Sequence, residues 1–138
     1  MNLTGIPEAD VTLPIKGQAG PRLDAEKLEK LKSISVATAA ATLHKMGLSR
    51  PTITGPRPTI PGSRIVGQSV TLQFMPMRED IGSSVEQEKY ERTSALWHVL
   101  DAVQPGDVLV IAAKGHMDTG CLGEMLLSYL KGRQGAGA

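Results

Sequence analysis

The chain of 138 residues has a single cysteine, Cys121, and no Cys-x-x-Cys pair. An internal disulfide and a cysteine-based zinc site are therefore excluded, and a reducing, intracellular setting fits. Aromatic residues make up only 3% of the sequence, so the core is expected from Ile, Leu, Val, Met and Ala. Charge of one sign is lacking too. The formal net charge is +1, with no strong basic or acidic block, which argues against bulk electrostatic binding to nucleic acid or to an anionic membrane. No apolar run approaches the roughly 18 residues that a membrane helix needs. The opening MNLTGIPEAD has no basic region followed by an apolar core, so no signal peptide is apparent. A cytoplasmic protein is expected.

What is present is an ordinary globular mixture, 41% apolar and 21% charged. The length fits one domain with one core. Residues 1–22 hold Pro7, Pro14, Gly17, Gly20 and Pro21, too many breaks for continuous helix or strand. They read as an extended arm, either packed on a neighbouring subunit or loosely ordered. The domain proper is placed at 23–138. Asp24 reads as a helix N-cap, with Leu28, Leu31 and Ile34 as an apolar face. Ser33 or Ser35 can cap a second helix that ends at Gly47. Its small residues, Ala37 to Ala41, permit close packing against a sheet. His44 sits in its last turn, where a positive or polar side chain favours the helix end.

Residues 48–62 carry Pro51, Pro56, Pro58 and Pro61 and read as a long loop, with Arg50, Arg57 and Arg64 around it. Those arginines suit either an acidic ligand or a solvated surface. Val70, Leu72 and Phe74 alternate with Thr71 and Gln73, which is strand periodicity. Gly67 before them marks a bulge or a close approach. Residues 78–88 read as a polar excursion. Leu96, Val99, Leu100 and Val103 recur at helical spacing within 90–103, placing Trp97 and His98 at the edge of that stripe. A Gln104–Asp107 turn then leads into an apolar run, Val108 to Ala113. The order helix, turn, strand, loop, helix implies a parallel or mixed sheet covered by helices, an α/β fold.

The rest is organised around Asp107 to Leu130, DVLVIAAKGHMDTGCLGEMLLSYL. A buried strand feeds a loop punctuated by Gly115, Gly120 and Gly123, and a helix follows with Met125, Leu126, Tyr129 and Leu130 on its apolar face. The first N–H groups of a helix have no intrahelical partner, and the helix dipole is positive there. Such an end suits a phosphate or a carboxylate. The loop is neither a P-loop, since no Gly-Lys-Ser/Thr follows, nor a dinucleotide fingerprint, since its glycines are too widely spaced. His116, Asp118 and Glu124 offer a weak metal-ligand pattern. Cys121 stands near the helix start, and the sequence does not point to a nucleophilic role for it. Gly132 is a helix-terminating candidate, and the Gly-Ala-Gly-Ala after it can begin a further strand.

The stretch PGDVLVIAAKGHMDTGCLGEMLLSYLKGRQGAGA, with VATAAATLHKMG and SRIVGQSVTLQF before it, resembles the family of the regulator of ribonuclease activity A and the class II 4-hydroxy-4-methyl-2-oxoglutarate aldolases. The resemblance runs from about Leu23 to the end. It implies a swivelling β/β/α-type domain with a central mixed sheet flanked by helices, assembled as a homotrimer or hexamer. It further implies a metal-dependent lyase that cleaves 4-hydroxy-2-oxo acids to pyruvate or decarboxylates oxaloacetate, with Mg2+ or Mn2+ as cofactor. The family's motif glycine matches Gly123, and the carboxylate-binding amides carry over to Leu122, Gly123, Glu124 and Met125. The motif's catalytic Arg and metal-holding Asp fall, at the family's spacing, beyond Ala138. The 138 residues alone are therefore expected to be inactive as an aldolase. Two other readings stay open: a non-catalytic regulator that binds ribonuclease E or another protein, and a structural subunit that only oligomerises.

Overall fold

The computed structural model describes residues 16–76, 94–116, 118 and 120–138. The polar excursion at 78–88, the first part of the helix expected at 90–103, and residues 1–15 of the arm lie outside them. Four helices and a small parallel sheet are described, an α/β arrangement. Helix α1 spans Ala25–Ser33 and α2 spans Val36–Lys45. Strand β1 is Ser69–Gln73, α3 is Ala95–Ala102, β2 is Val108–Ala112 and α4 is Glu124–Gly132.

The helix starts follow from their caps. Asp24 accepts from the Lys27 N–H at 2.8 Å, and Ser35 accepts from the Thr38 N–H at 3.1 Å. Ser94 does the same for the Trp97 N–H at 3.4 Å. Each satisfies one N–H that has no intrahelical partner. The C-terminus of α2 closes with two bonds, Gly47 N–H to His44 O and Leu48 N–H to Leu43 O, both 3.0 Å. Gly47 has φ +95°, the left-handed position of a Schellman motif. Helix α4 ends in the same way one residue type apart: Gln134 N–H reaches Lys131 O and Gly135 N–H reaches Leu130 O. The left-handed residue there is Gln134, φ +60°. Gly132, expected to terminate the helix, is instead its last residue, because the Schellman bonds form two residues later.

Strands β1 and β2 are parallel, with Val70 opposite Leu109 and Leu72 opposite Ile111. These four side chains share one face, and the core forms there. Leu72, Val99, Leu100, Val103, Leu109 and Leu130 make the buried cluster, with Leu122 and Leu126 packed against it. The core is aliphatic, as the scarcity of aromatics required. Trp97 lies at its edge and meets Tyr129 edge-on, ring centroids 5.2 Å apart. The residues after α4 return to the sheet: Gly137 pairs parallel with Val108, and its carbonyl accepts from the Leu109 N–H at 2.9 Å. Strand β2 is thus flanked on both sides, and every strand pairing among the described residues is parallel.

Gly67 is a close approach rather than a bulge. A Cβ there would lie 2.1 Å from the Gly106 carbonyl oxygen. The end of the arm packs on its own chain, since the Leu23 N–H donates to Gln68 Oε1 at 2.9 Å and Gln68 Nε2 donates to Pro21 O at 3.3 Å.

The packing expected of α2 differs. Neither α1 nor α2 has a buried residue, and Val36 on α2 is 69% exposed. The alanine face of α2 does not lie on the sheet. At the junction of α1 and α2 the Arg64 guanidinium donates to the Leu31 and Ile34 carbonyls. No helix among the described residues is long and apolar enough to cross a membrane.

Candidate functional site

The C-terminal end of β2 leads into the glycine loop through a tight turn. Lys114 and Gly115 both have positive φ, +50° and +81°, and the His116 N–H returns to the Ala113 carbonyl at 3.0 Å. Glycine accepts that conformation freely; lysine does so at a steric cost. The loop then climbs to α4. Leu122 turns its side chain to the core, which fixes where the helix begins.

Gly123 is the N-cap of α4 and has no side chain to cap with. It differs in this from the caps of α1, α2 and α3. The first intrahelical bond runs from the Leu127 N–H to the Gly123 carbonyl at 3.0 Å. The N–H groups of Glu124, Met125 and Leu126 therefore precede the ladder. Gly123, Glu124 and Met125 are exposed, Met125 to 64%. The sequence singles out Leu122 to Met125; the helix geometry adds Leu126, whose N–H belongs to the same turn. Its place in that turn follows from the helix register and not from its apolar side chain.

Gly123 has ordinary backbone geometry, φ −103° and ψ 175°, and a Cβ there would meet nothing within 4 Å. The protein's own packing does not require glycine at this position. What a side chain would occupy is the open space in front of the helix amides.

Among the described residues no group of three His, Cys, Asp or Glu comes together as a metal site. His116, Asp118 and Glu124 are thus not assembled as ligands, and this set does not by itself fit a divalent ion. Cys121 is half-buried in the loop before α4. A shallow cleft of about 240 Å³ lies elsewhere, at the opposite end of α4, lined by Val103, Gln104, Pro105, Gly132, Arg133 and Gln134. Arg133 spends its guanidinium there on the Val103 and Asp101 carbonyls, so the cleft is a braced joint between α3 and α4.

Residues 24–138 match the RraA-like family model, described as Aldolase/RraA. Among solved structures, the chain is similar to Streptomyces coelicolor RraAS2, described as an unusual member of the RNase ES inhibitor RraA protein family. The identity is 44% and the TM-score 0.71, over 86% of this chain and 53% of that one. The chain thus spans about half the length of that relative. No curated protein sequence matches. With the family model matched over residues 24–138 and a solved relative at 44% identity sharing its fold, the chain belongs to the RraA-like family.

Proposed function

We propose that the N-terminus of α4 binds the carboxylate of a small 2-oxo acid, and that this is one half of the site of a metal-dependent lyase. The observation that carries the reading is the uncapped start of α4: a glycine N-cap with no side-chain cap bond, exposed residues Gly123 to Met125, and open space where a Gly123 Cβ would stand. The chemistry is retro-aldol cleavage of 4-hydroxy-2-oxo acids to pyruvate, or decarboxylation of oxaloacetate. A bound divalent ion, Mg2+ or Mn2+, would stabilise the negative charge that develops on the enolate oxygen. The described residues bind and orient. The amides of Gly123 to Leu126 hold the carboxylate, and Leu122, anchored in the core, keeps them in register.

The direction of the last segment supports a two-part site. Gly137 pairs parallel with Val108, so a continuation in that register would run beside β2 toward Ala113 and the glycine loop. Ligands of open α/β sheets bind at the carboxyl ends of parallel strands. The Arg and Asp of the family motif would arrive there in a longer chain, and the homotrimer or hexamer of the resemblance belongs to the same proposal. Magnesium-dependent pyruvate release from oxaloacetate by the longer protein tests it. Release by the 138-residue chain alone would show that the second half is not needed.

A second reading, a protein that binds and regulates a ribonuclease, rests on the S. coelicolor relative's description. Co-purification with the ribonuclease, in a variant that no longer binds pyruvate, would favour it over the lyase.

A further inference from the structure

From Lys30 to Pro76 the chain has six cations, Lys30, Lys32, Lys45, Arg50, Arg57 and Arg64, and not one Asp or Glu. The whole chain is nearly neutral, so this stretch concentrates positive charge that the rest offsets. Lys30 and Lys32 are paired within α1, to Glu26 and Glu29. Lys45, Arg50 and Arg57 are exposed and have no ion pair among the described residues.

Lys45 ends α2, and Arg50 and Arg57 lie on the segment that follows it. The chain leaves the end of α2 at Met46 and returns at Arg64 to the carbonyls of Leu31 and Ile34, beside the start of α2. Segment 46–64 is therefore a closed excursion whose ends lie a helix length apart, about 15 Å for ten residues. Apolar side chains stand among its cations: Met46, Ile53 and Ile60 are each about 70% exposed or more, and Val36 on α2 is 69% exposed. Pro51, Pro56, Pro58 and Pro61 restrict the segment, which lowers the entropy lost when a partner docks.

We propose that α2 and segment 46–64 form a docking surface for an acidic protein segment that carries aliphatic anchors. Charge complementarity selects the sign of the partner. The interleaved Ile, Met and Val side chains call for apolar groups on it rather than bare phosphates. Single-stranded nucleic acid is disfavoured because its binding sites use aromatic side chains for base stacking, and no Phe, Tyr or Trp precedes Phe74. This surface is separate in sequence from the glycine loop and does not depend on the lyase reading.

The test is fluorescence anisotropy of a labelled peptide of alternating Glu and Leu, titrated with the 138-residue chain. Its Lys/Leu counterpart and a single-stranded polyuridylate serve as comparison probes. The proposal expects saturable binding of the acidic peptide alone, weakened by salt. It expects a loss of about tenfold or more in Arg50→Glu/Arg57→Glu, and a comparable loss in Ile53→Ser/Ile60→Ser at unchanged circular dichroism. All four positions are exposed, so neither variant removes core packing. Equal binding by both variants, preference for polyuridylate, or no peptide binding beside self-association that Ile53→Ser/Ile60→Ser abolishes would each overturn it.

Discussion

The Arg22 guanidinium donates to both carboxylate oxygens of Asp107, joining the end of the N-terminal arm to the residue just before β2. Asp107 is 1% exposed, while the Arg22 side chain is 43% exposed. The same carboxylate accepts from the Gln104 N–H at 2.9 Å, closing the turn before the strand. One buried acid thus holds arm, turn and sheet together. Removing its cation leaves a buried carboxylate with only the turn amide. Arg22→Ala is expected to cost about 1–3 kcal/mol, read as a lower urea midpoint with an unchanged slope.

Gly67 and Gly123 respond oppositely to a methyl group. Gly67→Ala drives a Cβ to 2.1 Å from a backbone oxygen and 2.9 Å from the Val108 side chain. Backbone cannot yield as a side chain can, so a loss of about 1–3 kcal/mol or more is expected. Gly123→Ala meets nothing and is expected to leave the thermal midpoint nearly unchanged. A large stability loss in Gly123→Ala would contradict the geometry of the α4 start.

Gln134 occupies the left-handed cap position that Gly47 fills at α2. Gln134→Gly removes the steric cost of positive φ and is expected to stabilise the protein by about 0.5–1 kcal/mol, the net after glycine's larger unfolded-state entropy. Thermal and urea unfolding both read this.

The Tyr129 hydroxyl donates to Asp101 at 2.5 Å. That hydrogen bond is the main reason its pKa is raised above the ordinary 10.0, with lesser contributions from burial and from the charge of Asp101. A folded pKa above the unfolded one means that the neutral phenol is favoured in the fold. The contribution is fully present below pH 10.0 and is lost as pH rises through the folded pKa. Asp101→Asn is expected to bring the phenolate absorbance transition of Tyr129 to lower pH. An unmoved transition would show that Asp101 is not the cause.

Much of this fold can be read from local chemistry. Asp24 and Ser35 announce helix starts because an N-cap needs only a side-chain oxygen beside free amides. The alternation at Val70 and Leu72 and the helical stripe at Val99, Leu100 and Val103 mark the faces that meet in the core. Three features are not local and were not legible. The Asp107 pair depends on an arm residue far away in sequence. The exposure of α2 is invisible to composition, because Ala-rich helices pack tightly only when a partner surface is in reach. The terminator Gln134 breaks the glycine rule, taking the αL position between its own bond to Lys131 O and that of Gly135 to Leu130 O. At the site, Gly123 identified the helix start. That the Leu126 N–H also precedes the hydrogen-bond ladder follows only from where the helix register starts.

In the proposed site the amides at the start of α4 hold a carboxylate. Titrating the 15N-labelled chain with oxalate tests it most directly, with Gly123→Asp as the control, a substitution that places a capping carboxylate on those same amides. Saturable shifts are expected at Gly123, Glu124, Met125 and Leu126, and none in Gly123→Asp at undiminished stability. Oxalate shifts that fall elsewhere, or that persist in Gly123→Asp, would contradict it.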